Sequence, residues 1–187
     1  MSLRGRLILV VGPSGAGKDT LIDYARNRLQ NDRRVHFVRR VISRLAAVGE
    51  DHEPVDADEF QRRVRDGAFA LHWQAHGLSY GIPSEIDAGL EHGDVVVANG
   101  SRAVLPDARR RYPQLLVVNV TAPLEILTQR LAGRGREDEV GIRQRLIRSE
   151  QQSVEGDDVL HIDNSGLTEV AGERVLAVLL GQADKAK

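Results

Sequence analysis

Gly12-Pro13-Ser14-Gly15-Ala16-Gly17-Lys18-Asp19-Thr20 combines glycines, small side chains and one lysine at the spacing Gly-x4-Gly-Lys. Glycine lacks the Cβ that would hold a backbone away from a phosphate. N–H groups of such a loop, with the N-terminus of a following helix, converge on an anion. A lysine at its end adds a compact positive charge within reach of the terminal phosphates. With 18 glycines and three lysines in 187 residues, chance matches to this pattern number roughly 0.03. The context agrees: an apolar run, Arg6 to Val11, ends where the loop begins, and a helical pattern starts at Lys18. Residues 12–20 are therefore the candidate ATP-binding segment, with Lys18 the first candidate for catalysis.

One position departs from the usual pattern. A Ser or Thr normally follows the lysine and offers its hydroxyl to Mg²⁺, whereas here Asp19 follows and Thr20 comes next. Two readings of Asp19 stay open. Its carboxylate suits the positive end of the helix, and it also suits Mg²⁺, a hard cation that prefers oxygen. The apolar strand Val95-Val96-Val97-Ala98-Asn99 has no acid at its end, as if the metal-positioning carboxylate had moved into the loop. Asp19 and Thr20 are the candidate metal ligands.

Composition narrows the class. A net charge of −1 supplies no basic excess for general nucleic-acid binding. Without cysteine there is neither a disulfide framework nor a thiolate site. The apolar run before Gly12 is too short for a signal-peptide core or a membrane span, so a cytoplasmic enzyme without membrane partners is expected. The three lysines are Lys18, Lys185 and Lys187, and every other basic residue is arginine. An ammonium is a point charge and a guanidinium a wide planar fork, so the single internal lysine reads as chemically required.

The elements that must position these residues alternate. Strands are expected at 6–11, 35–38, 94–98, 115–120 and 159–162. Helices are expected at about 18–30, 58–65 (capped by Asp56 or Asp58), 83–91 (opened by Pro83), 102–111, 124–131, 138–152 and 167–180. Apolar strands alternating with helices imply an α/β fold with a parallel sheet covered on both faces. Residues of about 39–92 break the alternation: 44–56 read as loop, and 69–80 as a small antiparallel piece. One domain spanning 1–187 is expected, with a core of about 5–38 and 93–181, an insert of about 39–92 and an Arg-rich lid of about 130–148.

Along nearly its whole length the chain resembles the guanylate kinase family of P-loop nucleoside monophosphate kinases. Its loop matches that family's Gly-Pro-Ser-Gly-Ala-Gly-Lys. Ile42-Ser43-Arg44 lies where the family has Thr-Thr-Arg, whose arginine binds the acceptor phosphate. Gly77-Leu78-Ser79-Tyr80-Gly81 resembles Gly-Asn-Tyr-Tyr-Gly. Arg130-Leu131-Ala132-Gly133-Arg134-Gly135 looks like its lid, and Arg145 like the helix arginine that follows. The departures fall where the family reads guanine: His72 stands for a glutamate, Ile82 for a hydroxyl, and Ala98-x-Gly100-x-Arg102 for Asp-x-Asp-x-Gln. Sites specify through buried hydrogen bonds, so guanine discrimination should weaken.

Gly-Lys-Asp in the loop and Asn99-Gly100-Ser101-Arg102 after the central strand resemble the ribose 1,5-bisphosphate phosphokinases of phosphonate catabolism. That resemblance implies transfer of the ATP γ-phosphoryl group to a phosphorylated sugar, forming 5-phosphoribosyl 1-diphosphate (PRPP) and ADP. It implies ATP and Mg²⁺ as cofactors and Arg130, Arg134 and Arg145 closing over the transferring group. Arg44, Tyr80, Asn99, Ser101 and Arg102 would contact the acceptor. His72 and His76 could meet the acceptor, and Asp163-Asn164 could approach the adenine. Oligomeric state stays open, a homodimer among the options. The competing readings are a guanylate-type kinase, a kinase acting on a sugar acid, and a guanylate kinase-like binding module without catalysis.

Overall fold

The computed structural model describes residues 5–44, 51–133 and 153–182. The expected helix at 138–152 and nearly all of the expected lid, including Arg134 and Arg145, lie outside the described residues. In chain order the elements are β1 (Arg6–Val11), α1 (Lys18–Arg28), β2 (Val35–Phe37), β3 (Arg40–Ile42), β4 (His52–Pro54), α2 (Ala57–Arg65), β5 (Phe69–Ala75) and β6 (Leu78–Pro83). There follow α3 (Ile86–His92), β7 (Val95–Asn99), a 3-10 turn at Arg102–Val104, α4 (Leu105–Arg111), β8 (Leu116–Thr121), α5 (Leu124–Ala132), β9 (Val159–Asp163) and α6 (Thr168–Leu179).

One sheet has the order β2-β7-β1-β8-β9, and the β2–β7 and β8–β9 ladders are parallel. Five successive apolar side chains of β1 are buried, the pattern of a strand enclosed on both faces. The chain divides into two compact units, Met1–Leu9 with Asp32–Leu115, and Val10–Asn31 with Leu116–Lys187.

The first unit holds a second sheet, β4-β3-β6-β5, within the segment where strand–helix alternation lapses. Helix α2 covers one face of it. Phe60 stacks on Phe69 with centroids 4.7 Å apart, and Val41 completes the cluster. Gly81 is required beneath them, because a Cβ there would lie 2.4 Å from the Phe69 ring. Asp56 caps α2, its Oδ1 accepting from the Glu59 N–H at 2.7 Å, which settles the choice between Asp56 and Asp58. In the second unit α1 packs on α6, where Gly172 leaves room for the Tyr24 ring, 2.5 Å from an added Cβ.

Three local expectations are corrected. Residues 52–54 are not loop but strand β4, pairing parallel with β3. At three residues each, β3 and β4 are too short to show a period. Pro83 ends β6 rather than opening a helix; α3 starts at Ile86. A proline tolerates the end of a strand because the ladder needs no N–H from it there. The segment 102–111 begins as a 3-10 turn and becomes α-helical at Leu105. Among the described residues, no helix is long and apolar enough to cross a membrane.

Candidate functional site

The loop between β1 and α1 is built by three glycines with left-handed or extended positive φ: Gly12 at +142°, Gly15 at +85° and Gly17 at +88°. Each permits a close approach within the second unit. A Cβ on Gly12 would lie 2.1 Å from the Val120 carbonyl oxygen of β8. On Gly15 it would press against Leu131 and the Leu127 carbonyl of α5, and on Gly17 it would lie 2.4 Å from Nδ2 of Asn164. Lys18 reaches back over the loop, its Nζ donating to the carbonyls of Gly12 at 2.9 Å and Pro13 at 3.0 Å. The ammonium therefore sits against the main chain at the start of the loop. A Cβ at any of the three glycines would disturb this packing, and a loop main chain, an ammonium and a helix N-terminus together make a donor set that fits a polyphosphate.

Gly17 is the N-cap of α1 and supplies no side-chain cap. Asp19 and Thr20 lie in the exposed first turn, where a carboxylate meets the positive end of the helix. Among the described residues no cluster of three or more His, Asp or Glu side chains is placed to hold a metal. A Mg²⁺ taken largely by phosphates and water needs only one or two protein oxygens, and Asp19 with Thr20 fits that requirement.

Arg130 on α5 donates from Nη2 to the Asn164 carbonyl at 2.8 Å. Its Nη1 is buried with no hydrogen-bond partner among the described residues, so one guanidinium edge is fixed and a donor is left over. Asn164 is 3% exposed and donates from Nδ2 to the Ala16 carbonyl at 2.7 Å. The sequence offered Asn164 only as a residue that could approach the adenine; its contact with the phosphate-binding loop joins residues 148 positions apart.

The acceptor-side candidates belong to the first unit. Tyr80 on β6 stacks on Trp73 of β5 with centroids 5.4 Å apart and planes 6° from parallel, and the Arg40 guanidinium lies 5.9 Å from the Tyr80 centroid. Cation, phenol and indole thus share one face of the small sheet, the face opposite α2. Strand alternation sends His72 to the other face, where it is exposed beside Phe69. His76, with φ +52°, sits in the exposed hairpin turn. Ser43 pins β3 to β6 by accepting the Ser79 N–H at 2.8 Å, which fixes the main chain entering Arg44. Asn99 ends β7 and is buried, and Ser101 caps the 3-10 turn by accepting from the Ala103 N–H. Arg102 opens that turn half-buried, and burial lowers its pKa, although a guanidinium stays protonated. Strand β5 packs against this turn. The structure thus groups Tyr80 with Arg40 and Trp73, and Asn99 with Ser101 and Arg102.

His52 is a residue that sequence reasoning missed. It is 1% exposed, and its carbonyl accepts from Arg39 Nη2 at 2.9 Å. Burial, then the charges of Arg44, Arg40 and Arg39, lower its pKa, while a hydrogen bond with the Arg44 backbone acts the other way. The folded chain therefore resists a proton that the unfolded chain accepts below about pH 6.5. Stability is full above that value and declines as the pH falls through it, until the folded histidine itself titrates. Thermal melts between pH 7.5 and 5 should show this fall in Tm, and His52→Asn should flatten it.

A protein-family model described as an AAA domain matches residues 8–153. Among curated proteins, a ribose 1,5-bisphosphate phosphokinase PhnN of Acidiphilium cryptum is 53% identical over 180 residues, covering 96% of this chain and 95% of its own. The protein of the same name from Brucella melitensis is 51% identical, covering 87% and 85%. That from Thiobacillus denitrificans is 47% identical, covering 98% and 96%. Among solved structures, guanylate kinase from Anaplasma phagocytophilum superposes with a TM-score of 0.69 at 19% identity, covering 98% of this chain and 89% of that one. This last likeness is one of fold.

Proposed function

The chain belongs to the ribose 1,5-bisphosphate phosphokinase PhnN family, and on that premise we propose that it phosphorylates ribose 1,5-bisphosphate with ATP to give PRPP and ADP. The observation that carries this reading is the similarity to relatives of one named activity over 85% or more of both chains. An oxygen of the sugar's 1-phosphate attacks the γ-phosphorus as the bond to the β-phosphate oxygen breaks, and ADP leaves with that oxygen. A phosphate acceptor is already ionised near pH 7, so no general base is needed.

The residues divide the work. Gly12 to Thr20 hold the triphosphate, and Lys18 spans the β- and γ-phosphates. Arg130, with Arg134 and Arg145 in the lid, offsets the charge spread over the transferring group, which is where phosphoryl-transfer catalysis lies. Asp19 and Thr20 would hold Mg²⁺, which would supply charge neutralisation on the phosphate oxygens. Arg44, Tyr80, Asn99, Ser101 and Arg102 bind an acceptor with two phosphates and no base, for which cationic forks and hydroxyls are the suitable groups. The segment 39–92 is the acceptor-binding insert of a single kinase domain working in the cytoplasm.

The test is an acceptor panel read by ADP release. Ribose 1,5-bisphosphate should exceed GMP by at least an order of magnitude in kcat/KM, and the reverse order would overturn the reading. A second assay addresses the metal. Asp19→Ser should raise severalfold the Mg²⁺ concentration giving half the maximal rate; unchanged Mg²⁺ dependence and turnover would leave Asp19 only its helix-dipole role.

A further inference from the structure

Asn164, the first residue after β9, makes three hydrogen bonds in three directions. Its N–H donates to the Thr121 carbonyl at the end of β8 at 2.8 Å. Its carbonyl accepts from Arg130 Nη2 on α5 at 2.8 Å. Its side-chain Nδ2 donates to the Ala16 carbonyl in the phosphate-binding loop at 2.7 Å. The bend that turns it inward is held on the surface, where Asp163 accepts from the Ser165 N–H at 2.8 Å and from its hydroxyl at 2.9 Å.

The consequence for the loop follows from peptide geometry. In a planar trans peptide the C=O and the next N–H point in opposite directions. Drawing the Ala16 carbonyl toward Asn164 therefore turns the Gly17 N–H the other way. Gly17 leaves room for this, since a Cβ there would collide with the same Nδ2. On its other side Asn164 fixes one edge of the Arg130 guanidinium, whose buried Nη1 keeps an unspent donor among the described residues. One residue thus sets the direction of a loop N–H and of an arginine.

We propose that Asn164 is a positioning residue for the phosphoryl donor, locking the Gly17 N–H and the Arg130 guanidinium into a single frame. The idea rests on the assignment of the loop and Arg130 to ATP made above, but not on the identity of the acceptor. Its side chain governs the loop and its main chain governs Arg130, so substitutions that change only the side chain should act first through the loop. Asn164→Ala leaves the Ala16 carbonyl without its donor. Asn164→Asp keeps the size but sets a carboxylate oxygen against that carbonyl, close to the phosphates.

The experiment titrates the full-length protein with a non-hydrolysable ATP analogue in the absence of acceptor, and follows steady-state kinetics alongside thermal melts. Asn164→Ala should weaken analogue binding about tenfold, the scale of one lost hydrogen bond with a buried partner left unpaired, and Asn164→Asp should weaken it further. Asn164→Ser retains a donor, should recover part of the loss, and serves if the alanine variant does not fold. KM for the acceptor should stay within about twofold, as a side chain acting on the loop alone requires. A purely structural role would lower Tm while leaving analogue affinity and kcat per folded molecule at wild-type values, and that result overturns the proposal. Analogue binding needs no acceptor. A failed ribose 1,5-bisphosphate assay with an intact titration therefore rejects the acceptor alone, and unaltered affinity in the variants rejects the role of Asn164 alone.

Discussion

Lys18→Ala is expected to lower kcat by about 10²–10³-fold, the scale of removing one preorganised group that stabilises developing charge, while the protein stays folded. The ammonium donates to the carbonyls of Gly12 and Pro13, so its charge is carried across the mouth of the loop by the backbone it serves. These carbonyls belong to half-exposed residues and can turn to water when the lysine is lost. The stability cost should therefore be about 1 kcal/mol, or roughly 2–4 °C in Tm for a chain of this size. Lys18→Arg should not restore the rate, because a planar fork cannot place its charge where a tetrahedral ammonium sits between two carbonyls. ADP release measured beside circular dichroism separates the two effects. A Lys18→Ala variant within about threefold of wild-type kcat would remove the loop from the chemistry.

The second large effect is on stability. Gly12→Ala should destabilise the protein by about 3 kcal/mol or more, lowering Tm by roughly 6–12 °C, and should abolish nucleotide binding in what remains folded. Two costs combine. At φ +142° an L-residue is strained whatever surrounds it. In addition, the new methyl would stand 2.1 Å from the Val120 carbonyl oxygen. That oxygen is main chain in a buried strand and cannot rotate away as a side chain could. Gly67→Ala provides the control. Gly67 has φ +69° with nothing within 4 Å of an added Cβ, so only the left-handed penalty of roughly 1–2 kcal/mol applies. Thermal melts of the pair measure the difference, and equal melting temperatures would show that the close approach to β8 is not a constraint.

Much of this was legible in the sequence, and the boundary is physical. The apolar runs became β1, β7 and β8 within a residue or two, because a strand enclosed on both faces writes a continuous apolar signal; β9, an edge strand with only Ile162 buried, also falls where expected. Helix α1 followed from its helical spacing, and α5 and α6 fall within a residue of the expected 124–131 and 167–180. By contrast β3 and β4, three residues each, carry no period, and β4 contains a proline and two polar residues. It is a strand only because β3 lies beside it. His52 illustrates the same point: nothing in Asp51-His52-Glu53 announces a buried imidazole among three arginines. Its environment is assembled by strand pairing and by residues that arrive from Arg39, Arg40 and Arg44.

The sequence by itself determined the phosphate-binding loop. A phosphate-binding loop is made by nine consecutive residues, and its requirements are local: glycines for the backbone, a lysine for the charge, a helix immediately after. The tertiary structure decided what surrounds that loop and which side chains share a face of the small sheet. Asn164 reaches Ala16 across 148 positions, Arg40 lies over a Tyr80–Trp73 stack drawn from three strands, and His72 is carried to the opposite face by strand alternation. Hydrogen bonds and ring contacts between distant segments leave no spacing in the chain. They exist only once register and pairing have brought the partners together.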